Sequence, residues 1–199
     1  MYPYLVAEPR DRLLGLLVRH SFQHSPDPIF TLASGRKSHY YINCKTTTFR
    51  SDAMPLVGRL FFERIKALER PGGRIEAAGG LTLGADPIAY AIAYHSALEG
   101  HPIQAFSVRK EPKEHGTRRW VEGFERAGAR VAIIEDVVTT GGSTLKAIEG
   151  ALNAGFQIGL VMALVDRQEG GLEELRSKGY HLQAIFTADE LLRVAQGAT

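Results

Sequence analysis

Apolar positions along the chain follow a helical rhythm at first and then alternate between short apolar runs and helical stretches. Over residues 10–20, Leu13, Leu14, Leu17 and Val18 share one side of a predicted helix. The segment HSPDPIF breaks it, with Pro26 and Pro28 two positions apart. Residues 29–32 and 40–43 read as the two strands of a hairpin around the turn ASGRKSH, with Gly35 at the bend. A second helix is predicted over 51–70, where Met54, Val57, Phe61, Ile65 and Leu68 recur at spacings of three and four. Pro55 is tolerated in its first turn. Pro71-Gly72-Gly73 stops this helix and is the candidate boundary between an amino-terminal region, 1–73, and a core, 74–199.

Beyond that boundary, predicted strands at 75–78, 103–108, 131–134, 158–165 and 181–186 alternate with helices or loops. Asp86 is expected to cap and Pro87 to open the first of these helices, which ends near Gly100. After Ser143 a helix is expected with Leu145, Ile148 and Leu152 on one face and Gly155 at its end. Further helices are expected around 172–177 and from about 188. The pattern predicts an α/β fold, a mostly parallel five-stranded sheet flanked by helices and joined by right-handed crossovers. Ligands of such sheets bind beyond the carboxyl ends of the strands. The turns after Gly79, Val108, Ile134 and Val165 are therefore expected on one rim.

Composition narrows the partners. The 199 residues are 44% hydrophobic and 23% charged, with a formal net charge of +2. That balance gives no global attraction to nucleic acid or an acidic membrane. Cys44 is the single cysteine, so an internal disulfide is excluded and a reducing compartment fits. The start, MYPYLVAEPRDR, lacks a basic region followed by an apolar core, and no apolar run reaches membrane-spanning length. A cytoplasmic location is expected.

The candidate chemistry is concentrated in Arg130 to Ser143, RVAIIEDVVTTGGS. Val131 to Ile134 have the β-branched, apolar character of a strand buried on both faces. Glu135 and Asp136 follow, then the turn Val137-Val138-Thr139-Thr140-Gly141-Gly142-Ser143 into the helix. A Gly/Thr-rich turn at a helix N-terminus offers free amides and partial positive charge to a phosphate. The Walker spacing G-x-x-x-x-G-K is absent, as is G-x-G-x-x-G from this turn. Adjacent carboxylates just ahead of a phosphate cradle suit a ligand whose hydroxyls lie one sugar ring from its phosphate, as in a ribose 5′-phosphate.

A second stretch, RKEPKEHGTRRWVEG after Val108, carries Arg109, Lys110, Lys113, His115, Arg118 and Arg119 with few apolar residues before Trp120. It has little to pack and is expected to move when the site is empty. Arg forks and Lys point charges together suit a polyphosphate such as diphosphate.

The turn VAIIEDVVTTGGS resembles the phosphoribosyl-pyrophosphate (PRPP) motif of type I phosphoribosyltransferases. RKEPKEHGT, FTLASGRKSHYYIN and the DRQE stretch at Asp166 to Glu169 resemble orotate phosphoribosyltransferases in particular. Together the matches span residues 30–169. The resemblance implies a type I phosphoribosyltransferase fold with a small amino-terminal hood over the substrate. It implies Glu135 and Asp136 on the ribose hydroxyls and Val137, Val138, Thr139, Thr140, Gly141, Gly142 and Ser143 around the 5′-phosphate. Arg109, Lys110, Lys113 and His115 would contact the diphosphate, with the 109–119 loop shared across a homodimer. Thr139 and Arg167 would contact orotate, Arg167 through its carboxylate, and Tyr41 and Ile42 would flank the pyrimidine ring. Lys113, His115 and Asp136 are the implied catalytic residues. The implied metal is Mg²⁺, held mainly through PRPP and water rather than by protein ligands. The chain departs from the family pattern at Ala33 and in the 81–86 turn, where relatives often carry lysine; Arg36 or Lys37 are candidates to replace the first.

The expected reaction is displacement of diphosphate from C1 of PRPP by a ring nitrogen of orotate. A purine or uracil phosphoribosyltransferase is the nearest rival, disfavoured by Arg167 and the K-E-H-G loop. A PRPP-sensing regulator would bring a nucleic-acid module for which the chain has no spare segment. A PRPP-making kinase would need an ATP site that the sequence does not display.

Overall fold

The computed structural model describes residues 8–31, 35, 37–69, 73–111 and 120–197. Helix α1 (Pro9–His20) buries Leu13, Leu14 and Leu17. Short strands follow: β1 (Phe22–His24), β2 (Phe30–Thr31), β3 (Lys37–Ser38) and β4 (Tyr40–Ile42). The hairpin differs from the sequence expectation. Phe30–Thr31 pairs antiparallel with Lys37–Ser38, whereas Tyr40–Ile42 pairs with Phe22–His24. A two-residue strand beside a polar turn carries too little apolar alternation to announce its partner.

Helices α2 (Lys45–Thr48) and α3 (Met54–Leu68) complete this region. Pro55 sits in the first turn of α3, where its missing amide costs nothing, and Val57, Phe61 and Ile65 are buried. The sheet then begins with β5 (Ala77–Leu81), α4 (Asp86–Leu98), β6 (Gln104–Val108) and β7 (Val121–Gly123). It continues through β8 (Arg130–Val138), α5 (Gly142–Asn153), β9 (Gln157–Asp166), α6 (Gly171–Ser177), β10 (Leu182–Thr187) and α7 (Ala188–Ala195).

The sheet has six strands in the order β10-β9-β8-β5-β6-β7. Five are parallel and β7 runs antiparallel to β6 at the edge. The extra strand corrects the expected five. Its three residues carry one buried apolar side chain, Val121, too short a signal to separate from the polar loop. From β5 the chain runs to β6 on one side and returns to β8 on the other, so the topology switches between β5 and β8.

Alternation along β8 divides the interior. Ala132 and Ile134 join a core with α1, α3, α4 and α7, while Val131 and Ile133 join a second core with α5 and Leu175 of α6. The sheet is thus covered on both faces, which explains its continuous apolar strands. In α5 the buried positions are Thr144, Ala147, Ile148, Gly150 and Ala151. Leu152, expected on that face, is 48% exposed, because the buried stripe runs through Thr144, Ala147, Ile148 and Ala151 instead.

Candidate active site

Strand β8 is longer than its apolar run suggests. Glu135, Asp136, Val137 and Val138 are still strand, so the turn itself is only Thr139 to Gly141. Ile133 and Val138 line the same core although their positions differ in parity, so strict in–out alternation does not pass straight through the acids. Both acids are buried, at 5% and 8% exposure, yet sit two and three residues before the strand's end at the rim. Burial holds the Glu135 carboxyl well above the usual carboxylate range, and the neighbouring Asp136 charge adds to this. Glu135 Oε2 has no hydrogen-bond partner among the described residues. A buried acceptor left open at a rim is a place for a ligand donor.

Asp136 is enclosed by two other elements. Lys45 Nζ, at the start of α2, lies 3.6 Å from Asp136 Oδ2. From the turn after β5, Gly84 comes so close that a methyl group there would collide with Asp136 Oδ1. That turn is fixed from below: Thr82 Oγ1 donates to Asp86 Oδ2 at 2.7 Å and Ser107 Oγ donates to Asp86 Oδ1 at 2.6 Å. Asp86 was expected as a helix cap. It is instead the first helical residue, and its carboxylate ties the turn to β6.

After Asp136, Val137 is half-buried and Val138 is buried in the second core, so the latter can meet a ligand only through its backbone. Thr139 is partly accessible, and Thr140, Gly142 and Ser143 are exposed. Gly141 adopts φ +85°, a left-handed conformation that glycine enters without strain, and α5 starts at the next residue. No side chain caps α5 and its first turn has no acid. Its leading amides therefore have neither an intrahelical acceptor nor a side-chain one. Two carboxylates and an uncapped helix N-terminus meet across this turn.

Arg167, the residue after β9, is 6% exposed and its guanidinium lies over the Tyr40 ring, 4.9 Å from the centroid. Tyr40 donates its hydroxyl to the Arg167 carbonyl at 3.3 Å. Arg167 Nη2 stands 2.7 Å from Glu169 Oε1, and its Nε has no partner among the described residues. Burial raises the Tyr40 hydroxyl above its usual pKa, opposed by the Arg167 charge. Tyr41, the next residue, points elsewhere and stacks on Phe30 at 6.2 Å. Ile42 is buried in the first core. Tyr40 is thus the aromatic side chain that meets Arg167, and adjacent strand residues cannot both do so.

In the charged stretch, Arg109 pairs with Glu122 at 2.6 Å. Lys110 is exposed, while Lys113 and His115 lie outside the described residues, as do Ala33 and Arg36. Lys37 donates to Thr31 Oγ1 at 2.8 Å. Two residues escaped the sequence reading. Lys45 follows a strand and has no motif around it, and Tyr40 differs from Tyr41 only by the pleat. Among the described residues no group of three or more His, Cys, Asp or Glu gathers to hold a metal, and no helix is long and apolar enough to cross a membrane.

No protein-family model matches the chain. The orotate phosphoribosyltransferase of Aquifex aeolicus is 44% identical over 183 residues, covering 92% of this chain and 97% of the relative. The orotate phosphoribosyltransferase of a Synechocystis strain is 43% identical over 190 residues, covering 95% and 91%. Among solved structures, the Mycobacterium tuberculosis orotate phosphoribosyltransferase in complex with PRPP superposes with a TM-score of 0.74 and 33% identity, covering 92% of this chain and 98% of that one.

Proposed function

The chain belongs to the orotate phosphoribosyltransferase family, and from that premise we propose that its acid pair, the turn behind it and the 109–119 loop hold PRPP while Arg167 holds orotate. It transfers the 5-phosphoribosyl group of PRPP to orotate, giving orotidine 5′-monophosphate and diphosphate, in pyrimidine (UMP) biosynthesis. The observation that carries the division of labour is the open Glu135 acceptor beside Asp136, set just ahead of an uncapped helix.

Glu135 and Asp136 accept hydrogen bonds from the ribose 2′- and 3′-hydroxyls, and Val137 to Ser143 wrap the 5′-phosphate with backbone amides. Arg167, already desolvated over Tyr40, pairs with the orotate carboxylate. Thr139 and, through their backbone, the β4 residues Tyr41 and Ile42 complete the pyrimidine subsite beside the Tyr40 ring. Arg109, Lys110, Lys113 and His115 face the diphosphate, and the 109–119 loop is shared across a homodimer. Residues 1–73 form a substrate-covering hood on the 74–199 core, since β4 brings Tyr40 onto Arg167. A cytoplasmic setting fits the single thiol of Cys44, which is buried.

The carboxylates also suit Mg²⁺. Two adjacent acids near the rim match an ion that keeps water and shares substrate oxygens. When bound, Mg²⁺ supplies positive charge to the diphosphate and ribose oxygens. The chain's own residues do the rest. As the C1–O bond breaks, its electron pair goes to diphosphate, and the Lys113/His115 loop meets that charge; one preorganised donor contributes about 3 kcal/mol. The ribose gains oxocarbenium character and the orotate ring nitrogen bonds to C1. Orotate is already anionic, so no strong base is required, and the role assigned to Asp136 is that of acceptor for the ring proton. Closure of the loop excludes water that would hydrolyse PRPP.

Incubation with PRPP, Mg²⁺ and orotate, followed by the loss of orotate absorbance, tests the reading. Steady loss that depends on PRPP is expected. Turnover of adenine or uracil in place of orotate would overturn the substrate assignment.

A further inference from the structure

Lys45 carries positive charge from the amino-terminal segment to the acid pair. Its backbone is well anchored, because Cys44 beside it is fully buried and the amides of Thr47 and Thr48 donate to the Cys44 carbonyl at 2.9 and 2.8 Å. Its ammonium lies 3.6 Å from Asp136 Oδ2, an ion pair longer than a hydrogen bond, on a side chain 45% exposed. A half-exposed pair of this length adds little to stability, so the fold alone does not explain a lysine held here. Two other cations described at the rim have carboxylate partners: Arg109 has Glu122 and Arg167 has Glu169.

The chemistry of the sugar says what the ammonium would meet. In the reading given above, on which this inference rests, the acids hold the 2′- and 3′-hydroxyls. The diphosphate of PRPP is attached at C1, one bond from the carbon bearing the 2′-hydroxyl. Asp136 holds one hydroxyl of this adjacent diol, so a cation within ion-pair distance of it lies on the side of the sugar that carries the C1 substituent. Lysine's compact charge and flexible stem let it follow an oxygen whose charge grows during bond breaking. We propose that Lys45 is a catalytic residue of the transfer, contacting a diphosphate oxygen of PRPP and stabilising the negative charge that collects there as the C1–O electron pair departs.

The test compares two ligands that differ at C1. Binding of PRPP and of orotidine 5′-monophosphate is measured by calorimetry with Mg²⁺ present, for the unaltered chain and for Lys45→Ala, Lys45→Met and Lys45→Arg, alongside kcat. Lys45→Met keeps the apolar stem and serves if Lys45→Ala melts early. Loss of the ammonium is expected to weaken PRPP binding about tenfold, the scale of one charge-assisted hydrogen bond. It should lower kcat further, and it should leave orotidine 5′-monophosphate affinity within about twofold because that nucleotide has no diphosphate for a charge-assisted bond. Lys45→Arg should regain much of the PRPP affinity. Equal weakening of both ligands would overturn the inference, since Lys45 would then act only through Asp136. Unchanged PRPP binding, or a loss confined to orotate, would overturn it too. Failure of the unaltered chain to bind PRPP is a separate result that removes the underlying reading with it.

Discussion

Gly84 and Asp136 are packed so closely that the first leaves no room for a side chain without displacing the second: a Cβ at Gly84 would strike the Asp136 carboxylate. The acid of one strand is thus positioned by the turn after its neighbour. Gly84→Ala is expected to shift the carboxylate and lower kcat/KM for PRPP by about a hundredfold, the cost of misplacing a reacting group by around 1 Å. Steady-state kinetics checks this, together with a melting curve close to that of the unaltered chain.

Glu135 couples stability to function through pH. Burial, and then the Asp136 charge, raise its pKa in the folded state well above the ordinary carboxylate range. An ionised Glu135 therefore opposes folding. The penalty is absent below the unfolded-state value of about 4.3, where both states are protonated. It grows as pH rises through the interval up to the folded-state pKa and is complete above that. Glu135→Gln is expected to raise the melting temperature at neutral pH by about 2–4 °C, the effect of ~1 kcal/mol on a chain of this size. The gain should vanish as pH falls toward 4 while PRPP turnover is largely lost at every pH. Paired melting series across pH decide it.

Arg167 presents a planar fork over the Tyr40 ring, and lysine cannot reproduce that fork. Arg167→Lys is expected to raise the KM for orotate by about tenfold to a hundredfold while PRPP affinity stays unchanged. Tyr40→Phe removes only the hydroxyl that reaches the Arg167 carbonyl and should give a smaller change of the same kind. Initial rates against orotate concentration separate the two.

The diphosphate loop is probed by Lys113→Ala. Turnover should fall about a hundredfold or more while orotate binding is weakened little, because the lysine meets charge that grows on the diphosphate as the C1–O bond breaks. Single-turnover rates beside equilibrium orotate binding make the comparison, and near-normal turnover would remove the loop from the chemistry.

What the chain discloses by itself follows the range of the interactions involved. The β8 turn was legible because its signals are local: a β-branched run, two acids, paired glycines and a helical stripe within the twenty-two residues from Val131 to Leu152. The parallel sheet was legible from its alternation with helices. The pairing of β4 with β1 was not, since strand partners are chosen by packing across the hood and Phe22–His24 is a three-residue strand. Leu152 was misassigned because helical phase is uncertain where Thr144, Ala147 and Ala151 are small enough to be buried on an adjacent stripe. The approach of Lys45 to Asp136 spans ninety-one positions and leaves no trace in either local pattern. The sequence therefore pointed to the acids and the cradle, and the structure added the groups that enclose them.

The most direct test is a crystal structure of this chain with PRPP or orotidine 5′-monophosphate bound. The account predicts the Glu135 and Asp136 carboxylates on the ribose 2′- and 3′-hydroxyls, with the 5′-phosphate against the first amides of α5. A sugar bound elsewhere, with both carboxylates turned away from it, would contradict it.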